Sequence, residues 1–392
     1  MQHALNVPEQ PELIFHPRRT FIASLCLAAT SALSQIQPVP GMPPVPDPGN
    51  LYSETTADKL SPAVADHKEL VYVPHVQSNN VYVIDPKTFE VIDKYKVGLN
   101  PQHVVPSYDL QTLWVTNNAE RTNKGSLTPI DPKTGKPGEA IPVNDPYNMY
   151  FSPDGKSAIV VEEAEKRLAF RDPKTMEMQY YIKTPGCAGV NHADFAIDGT
   201  FAIFTCEFSK GLVKIDLVNR KVMSYLRLSK GGMPQDVRIS PNGKRFYVAD
   251  MQADGLFVID GETFKEVGFI ETGRGTHGIY PSRDGKKLYV ANRGSHAIHG
   301  KKAGPGSVSV VDFATEKVEA TWPIPGGGSP DMGNVSADGK TLWLSGRYDH
   351  VVYAIDTATG ATKVIKVGIE PHGLAVWPQP GRYSLGHTGN MR

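Results

Sequence analysis

Cysteine is scarce in this chain, three residues in 392. That excludes a disulfide-built scaffold, and no Cys-x-x-Cys-His run offers covalent haem attachment. An excess of one charge is also lacking, because 41 basic residues face 41 acidic ones. A neutral, interspersed surface gives no field to recommend nucleic acid or an anionic membrane as a partner. The apolar stretch FIASLCLAATSALS at 21–34 falls short of the roughly 20 residues that a permanent bilayer span needs. No amphipathic helical period runs through the body of the chain, so a helical solenoid is disfavoured. Gly-x-Ser-x-Gly, P-loop and His-Glu-x-x-His signatures are absent, which removes the hydrolase, nucleotide and zinc-protease chemistries they mark.

What is present is a repeat. RFYVAD and LFVID, at 245–250 and 256–260, alternate β-branched and aromatic residues as buried strands do. An aspartate closes the second of these strands, and the same position returns as Asp85, Asp131, Asp172, Asp216, Asp260, Asp312 and Asp356. A second turn returns as SPDG at 152–155, SPNG at 240–243, SRDG at 282–285 and SADG at 336–339. Four short strands per unit, at a period in the low forties, predict a propeller blade. Seven units predict an all-β, seven-bladed β-propeller of four-stranded blades over residues 68–380.

The phrases LYVAN at 288–292, VSVVD at 308–312 and EPHGLAVWP at 370–378 resemble the YVTN-repeat, YncE-like family of seven-bladed propellers. The resemblance implies the fold and says little about activity, since propellers host unrelated chemistries.

The ends of the chain set further expectations. Residues 1–37 read as an export signal, with a twin-arginine-like Arg18-Arg19 ahead of the apolar run and Cys26 inside it, lost on cleavage. A periplasmic or secreted location follows, with no transmembrane anchor after signal removal. Residues 38–67 are a Pro-rich tether and a lead-in to the rim. The first unit lacks an innermost strand and the last leaves HGLAVWP without a sheet. The C-terminal strand is therefore expected to complete the N-terminal blade, which removes both open edges. Residues 381–392 form a tail expected to lie along the far face or to fray.

Within a blade the innermost strand starts where the second strand ends, so both positions gather at one tunnel mouth. Five of the twelve histidines fall there: His75, His103, His192, His277 and His372. Imidazoles with a few carboxylates suit copper, zinc or iron. These five are the candidate metal ligands, copper favoured, with a small molecule as ligand or substrate and oxidoreduction as the reaction class. Glu163, Glu207 and Asp236 are the candidate acid–base or outer groups.

Two alternatives stand beside this. One is a metal-free lactonase- or lyase-like enzyme using a pair such as His192 and Glu207. The other is a non-catalytic platform for a protein partner. Cys187 and Cys206 share the mouth end of one blade, where an oxidising compartment favours a disulfide. An insertion at 296–306, bearing His296 and His299, reads either as a flap or as a tolerated surface loop.

Overall fold

The computed structural model describes residues 36–392 apart from 123, 301–303, 388 and 389, together with residues 8 and 11. The export signal, Arg18-Arg19 and Cys26 lie outside the described residues. Among the described residues no helix is long and apolar enough to cross a membrane.

Seven antiparallel sheets make the ring. In the blade built from Pro234–Ile239, Arg245–Asp250, Gly255–Asp260 and Lys265–Glu271, strands pair in chain order from the axis outward. Each aspartate of the repeat does the work its turn needs. Asp85, Asp131, Asp172, Asp216, Asp260, Asp312 and Asp356 all accept backbone N–H bonds from residues two or three further on. One blade departs from the pattern, its outer strand split into Lys136–Pro137 and Ile141–Pro142.

The ring closes by exchange. Ala375–Trp377 is the innermost strand of a sheet whose other members are Leu70–His75, Asn80–Asp85 and Glu90–Lys96. Leu70 pairs with Trp377 and Tyr72 with Ala375. Valines, isoleucines and aromatics from adjoining sheets interdigitate between the blades, as with Val71, Val376 and Trp343.

The far end of the tunnel is covered from both termini. Leu51 N–H donates to Pro241 O, and the buried Tyr52 hydroxyl donates to Ile239 O at 2.6 Å. The tail is a narrow hairpin in which Ser384 bridges Met391 and Leu385 N–H bonds Asn390 O. It enters the tunnel: Ser384 Oγ donates to Pro106 O, Phe151 N–H to Leu385 O, and Arg392 meets the buried Asp194 at 2.6 Å. Gly386 permits this, since its φ is +117° and a Cβ there would stand 2.4 Å from Tyr150 Cα.

A candidate metal centre and the mouth above it

The tunnel is lined by seven innermost strands, and six of them carry a bulge near the mouth. Register slips between Pro101 and His103, Pro146 and Asn148, Val190 and Ala193, Pro234 and Val237, Thr276 and Ile279, and Pro330 and Gly333. A bulge re-aims side chains that strict alternation would send to opposite faces. Two successive residues per strand can then face inward, and the tunnel acquires two polar groupings.

The inner grouping is His103, His192 and His387, each offering a nitrogen, all within 4.8 Å of one another. His103 and His387 stand 4.6 Å apart between ring centroids, as do His192 and His387, while His103 and His192 are at 5.3 Å. All three are fully buried. Burial pushes the His103 imidazole down to about 3 and holds His192 and His387 well below the usual histidine range. These rings are therefore neutral, the form that ligates metals. Among the described residues, neither nitrogen of His103 has a hydrogen-bond partner, nor does His192 Nε2.

Two neighbours tune the group. Met149 N–H donates to Asn148 Oδ1 at 2.8 Å, so the Asn148 amide nitrogen faces His192 Nδ1 at 3.1 Å and donates to it. That bond leaves the ring proton of His192 on Nε2. Gly373 leaves room for His103, because a Cβ there would come within 1.9 Å of Nδ1.

The outer grouping is His277, Asp331 and His372. His277 Nδ1 meets Asp331 Oδ1 at 2.9 Å, and Arg293 holds the same oxygen at 2.7 Å. Burial would raise the Asp331 carboxyl, but Arg293 and His277 hold it well below the carboxylate range. Burial takes His277 down to about 4 and His372 well below its ordinary value. His372 also touches the inner group, 4.8 Å from His103 between centroids.

Above these rings lies a cavity of about 250 Å³, lined in part by Gln102, Tyr147, Glu163, Glu207, His277 and His372. Burial, then Glu207, raises Glu163 well above the carboxylate range. Burial also raises Glu207, which accepts from Asn191 Nδ2 at 2.9 Å and Gln235 Nε2 at 3.0 Å. The insertion covers part of the opening: Ile298 and His299 line the cavity, Tyr348 hydroxyl donates to Ile298 O, and His299 faces Glu370 at 3.4 Å. His296 instead meets Asp254 at 2.8 Å.

The sequence candidates thus divide. His103 and His192 meet in the inner group, and His277 and His372 in the outer one. His75 joins neither. It ends a second strand, one place out from the axis, where Nε2 accepts Gly368 N–H at 3.0 Å and the ring packs on Tyr82. Asp236 does not line the cavity. Its oxygens accept Val237 N–H and Ile279 N–H, tying two neighbouring innermost strands, and Arg238 lies 3.2 Å away. Burial takes its carboxyl up to about 6. Glu207 and His192 have the separate partners given above, so no His192–Glu207 hydrogen bond forms. His387 and Asp331 completed the two groups without having been singled out. His387 lies beyond the last repeat, where only its place between Gly386 and Gly389 hints at a turn. Cys187 and Cys206 are joined as a disulfide.

Seven four-stranded blades around a tunnel with buried histidines on its axis define the seven-bladed β-propeller class. A family model, the YNCE-like beta-propeller, matches residues 70–380, and the chain belongs to that family. It is 25% identical over 291 residues to uncharacterized protein YncE of Salmonella typhi, covering 68% of this chain and 74% of that one. Among solved structures, a putative 6-phosphogluconolactonase from Bacteroides uniformis superposes with a TM-score of 0.62 at 18% identity, covering 78% of this chain and 98% of that one. The dihydro-heme d1 dehydrogenase NirN superposes with a TM-score of 0.57 at 15% identity, covering 87% and 79%. At such identities these two likenesses concern the fold alone.

Proposed function

We propose that the protein is an exported metal-binding propeller in which His103, His192 and His387 hold one transition-metal ion, copper in preference, beneath a cavity that admits a small molecule. One observation carries this: three buried, neutral imidazoles converge, and among the described residues neither nitrogen of His103 is paired. An orphaned buried polar atom costs about 1–3 kcal/mol, so a purely structural role for the cluster is expensive. Three histidines leave further coordination positions open, as catalytic metal sites do. Imidazole suits copper and zinc, and copper heads the affinity series. The outer group is the poorer cation site because Asp331 is already paired with Arg293. Copper in the inner site would supply oxidoreduction to a small molecule reaching it. Gly373 makes room for His103, and the tail hairpin excludes water from the far side. His192 joins the metal only when Asn148 gives up its bond to Nδ1 and the ring proton moves off Nε2. Export is supported by Arg18-Arg19 with its apolar run, and by a disulfide suited to an oxidising compartment.

The test is metal analysis of the full chain recovered from its own compartment, followed by competition titration of stripped protein with Cu(II) and Zn(II). One copper per chain is expected, lost in His103→Ala and His387→Ala and kept in His75→Ala. Intact protein that takes up neither ion against a weak chelator would overturn the reading.

A further inference from the structure

The charges at the mouth do not balance locally, and the imbalance points to a ligand other than the metal. Both arginines at the cavity are committed. Arg293 is held by Asp331 at 2.7 Å, and Arg347 by Glu370 at 2.9 Å. Among the described residues, neither Glu163 nor Glu207 has an ion-pair partner; Glu207 is met only by two neutral amides. Hydrogen bonding is unbalanced in the same direction. Gln102 spends its amide nitrogen on Asn118 and Glu120, which leaves Oε1 buried without a donor, and the side chain lines the cavity. The wall therefore presents a buried acceptor and two carboxyls without a direct ion pair, and wants donors and positive charge.

We propose that the mouth cavity binds a small organic ammonium, its N–H groups donating to Glu163, Glu207 and Gln102 Oε1. Size supports this, since about 250 Å³ lies below the usual range for drug-sized ligands and fits a molecule of a few heavy atoms. Tyr147 and Phe208 also line the space and offer aromatic faces to a cation. A bare metal ion is the weaker occupant. Glu163 and Glu207 belong to neither group of three donors close enough to share one, among the described residues. Burial disfavours the charged form of both carboxyls in the empty cavity, with the Glu207 charge adding to the effect on Glu163, and a bound ammonium favours the charged forms. The inference goes beyond the metal reading and stands whether or not the inner histidines hold copper.

Titration calorimetry on the full chain tests it, with ethanolamine, ethylene glycol and glycolate as cationic, neutral and anionic probes of similar size. Each is run on chelator-stripped and on copper-loaded protein. Ethanolamine is expected to bind stripped protein at least about tenfold more tightly than either other probe, and the Glu163→Gln/Glu207→Gln pair to weaken it by about tenfold or more. His387→Ala should leave that binding in place, which separates it from the metal centre. Unchanged thermal unfolding of the double variant shows that its loss is not a folding failure. Three outcomes overturn the proposal: glycolate binding as tightly, the double variant binding like the parent, or no ethanolamine binding to stripped protein up to roughly 10 mM. Ethanolamine that binds only copper-loaded protein would place it on the metal and overturn it equally.

Discussion

His103 and His387 face each other at 4.6 Å between ring centroids and 88° between planes, one from an innermost strand and the other from the tail hairpin. Repeat geometry places the first, while the second arrives from outside the repeat. The inner site therefore depends on positioning by neighbours, and its neighbours are where it can be tested.

Gly373 is the first. A methyl group at this position would overlap His103 Nδ1, so Gly373→Ala should swing that imidazole away while keeping every candidate ligand in the chain. Copper affinity is expected to fall by at least about tenfold, with a stability loss of about 1–3 kcal/mol from overpacking. Competition titration and urea unfolding read the two effects separately. Unaltered copper affinity would mean that His103 is not a ligand.

Asn148 offers a change of opposite sign. Asn148→Asp would accept a hydrogen bond from His192 Nδ1–H and so free the Nε2 lone pair, the carboxylate–histidine arrangement that strengthens metal ligands. Asp194 and Asp236 already bond the next residue's N–H as Asn148 does, so the backbone can accept the change. Copper should bind roughly tenfold more tightly. Weaker binding would argue against ligation through Nε2.

The pH response of metal-free protein follows from the same burial. His103 has its pKa depressed to about 3 in the fold, against about 6.5 when unfolded. Between those values the unfolded chain binds the proton and the folded chain does not. Its contribution to stability is therefore intact above about 6.5 and is lost as pH falls toward 3. Raised carboxyls such as Asp236 oppose this in the whole protein, so a difference measurement is needed. Relative to the parent, His103→Gln should gain roughly 1.4 kcal/mol per pH unit on acidification across that window. Chemical denaturation at several pH values measures it, and a parallel pair of curves would show that His103 titrates normally.

The disulfide between Cys187 and Cys206 closes a loop with a sequence separation of 19. Replacing both with serine should cost about 3 kcal/mol through the unfolded chain's regained freedom. Equilibrium unfolding of the double variant checks this. A loss below about 0.5 kcal/mol would mean that the blade fixes the loop without the bond.

The ring was legible because its signals repeat: seven aspartates at seven turns, each bonding the backbone as the sequence implies. The gathering of His103, His192, His277 and His372 followed from equivalent places in that repeat. Their division into two groups follows from a one-residue offset. His103 and His192 stand second in Gln102-His103 and Asn191-His192, while His277 and His372 stand first in His277-Gly278 and His372-Gly373. Strict alternation hid its meaning, since only the bulge lets both places face the tunnel. His75 was grouped with them by counting strand ends, yet the end of a second strand lies one chain away from the axis. His387 carried no repeat phase at all. The commitment of Arg293 to Asp331 joins a second-strand end to a neighbouring blade, a pairing visible only once the ring is closed.

The closing strand Ala375–Trp377 precedes His387 in the chain. During synthesis, the third imidazole emerges only after every other part of the ring exists. A half-made chain lacks His387, so the inner group of three is complete only in a molecule whose whole ring has already been made.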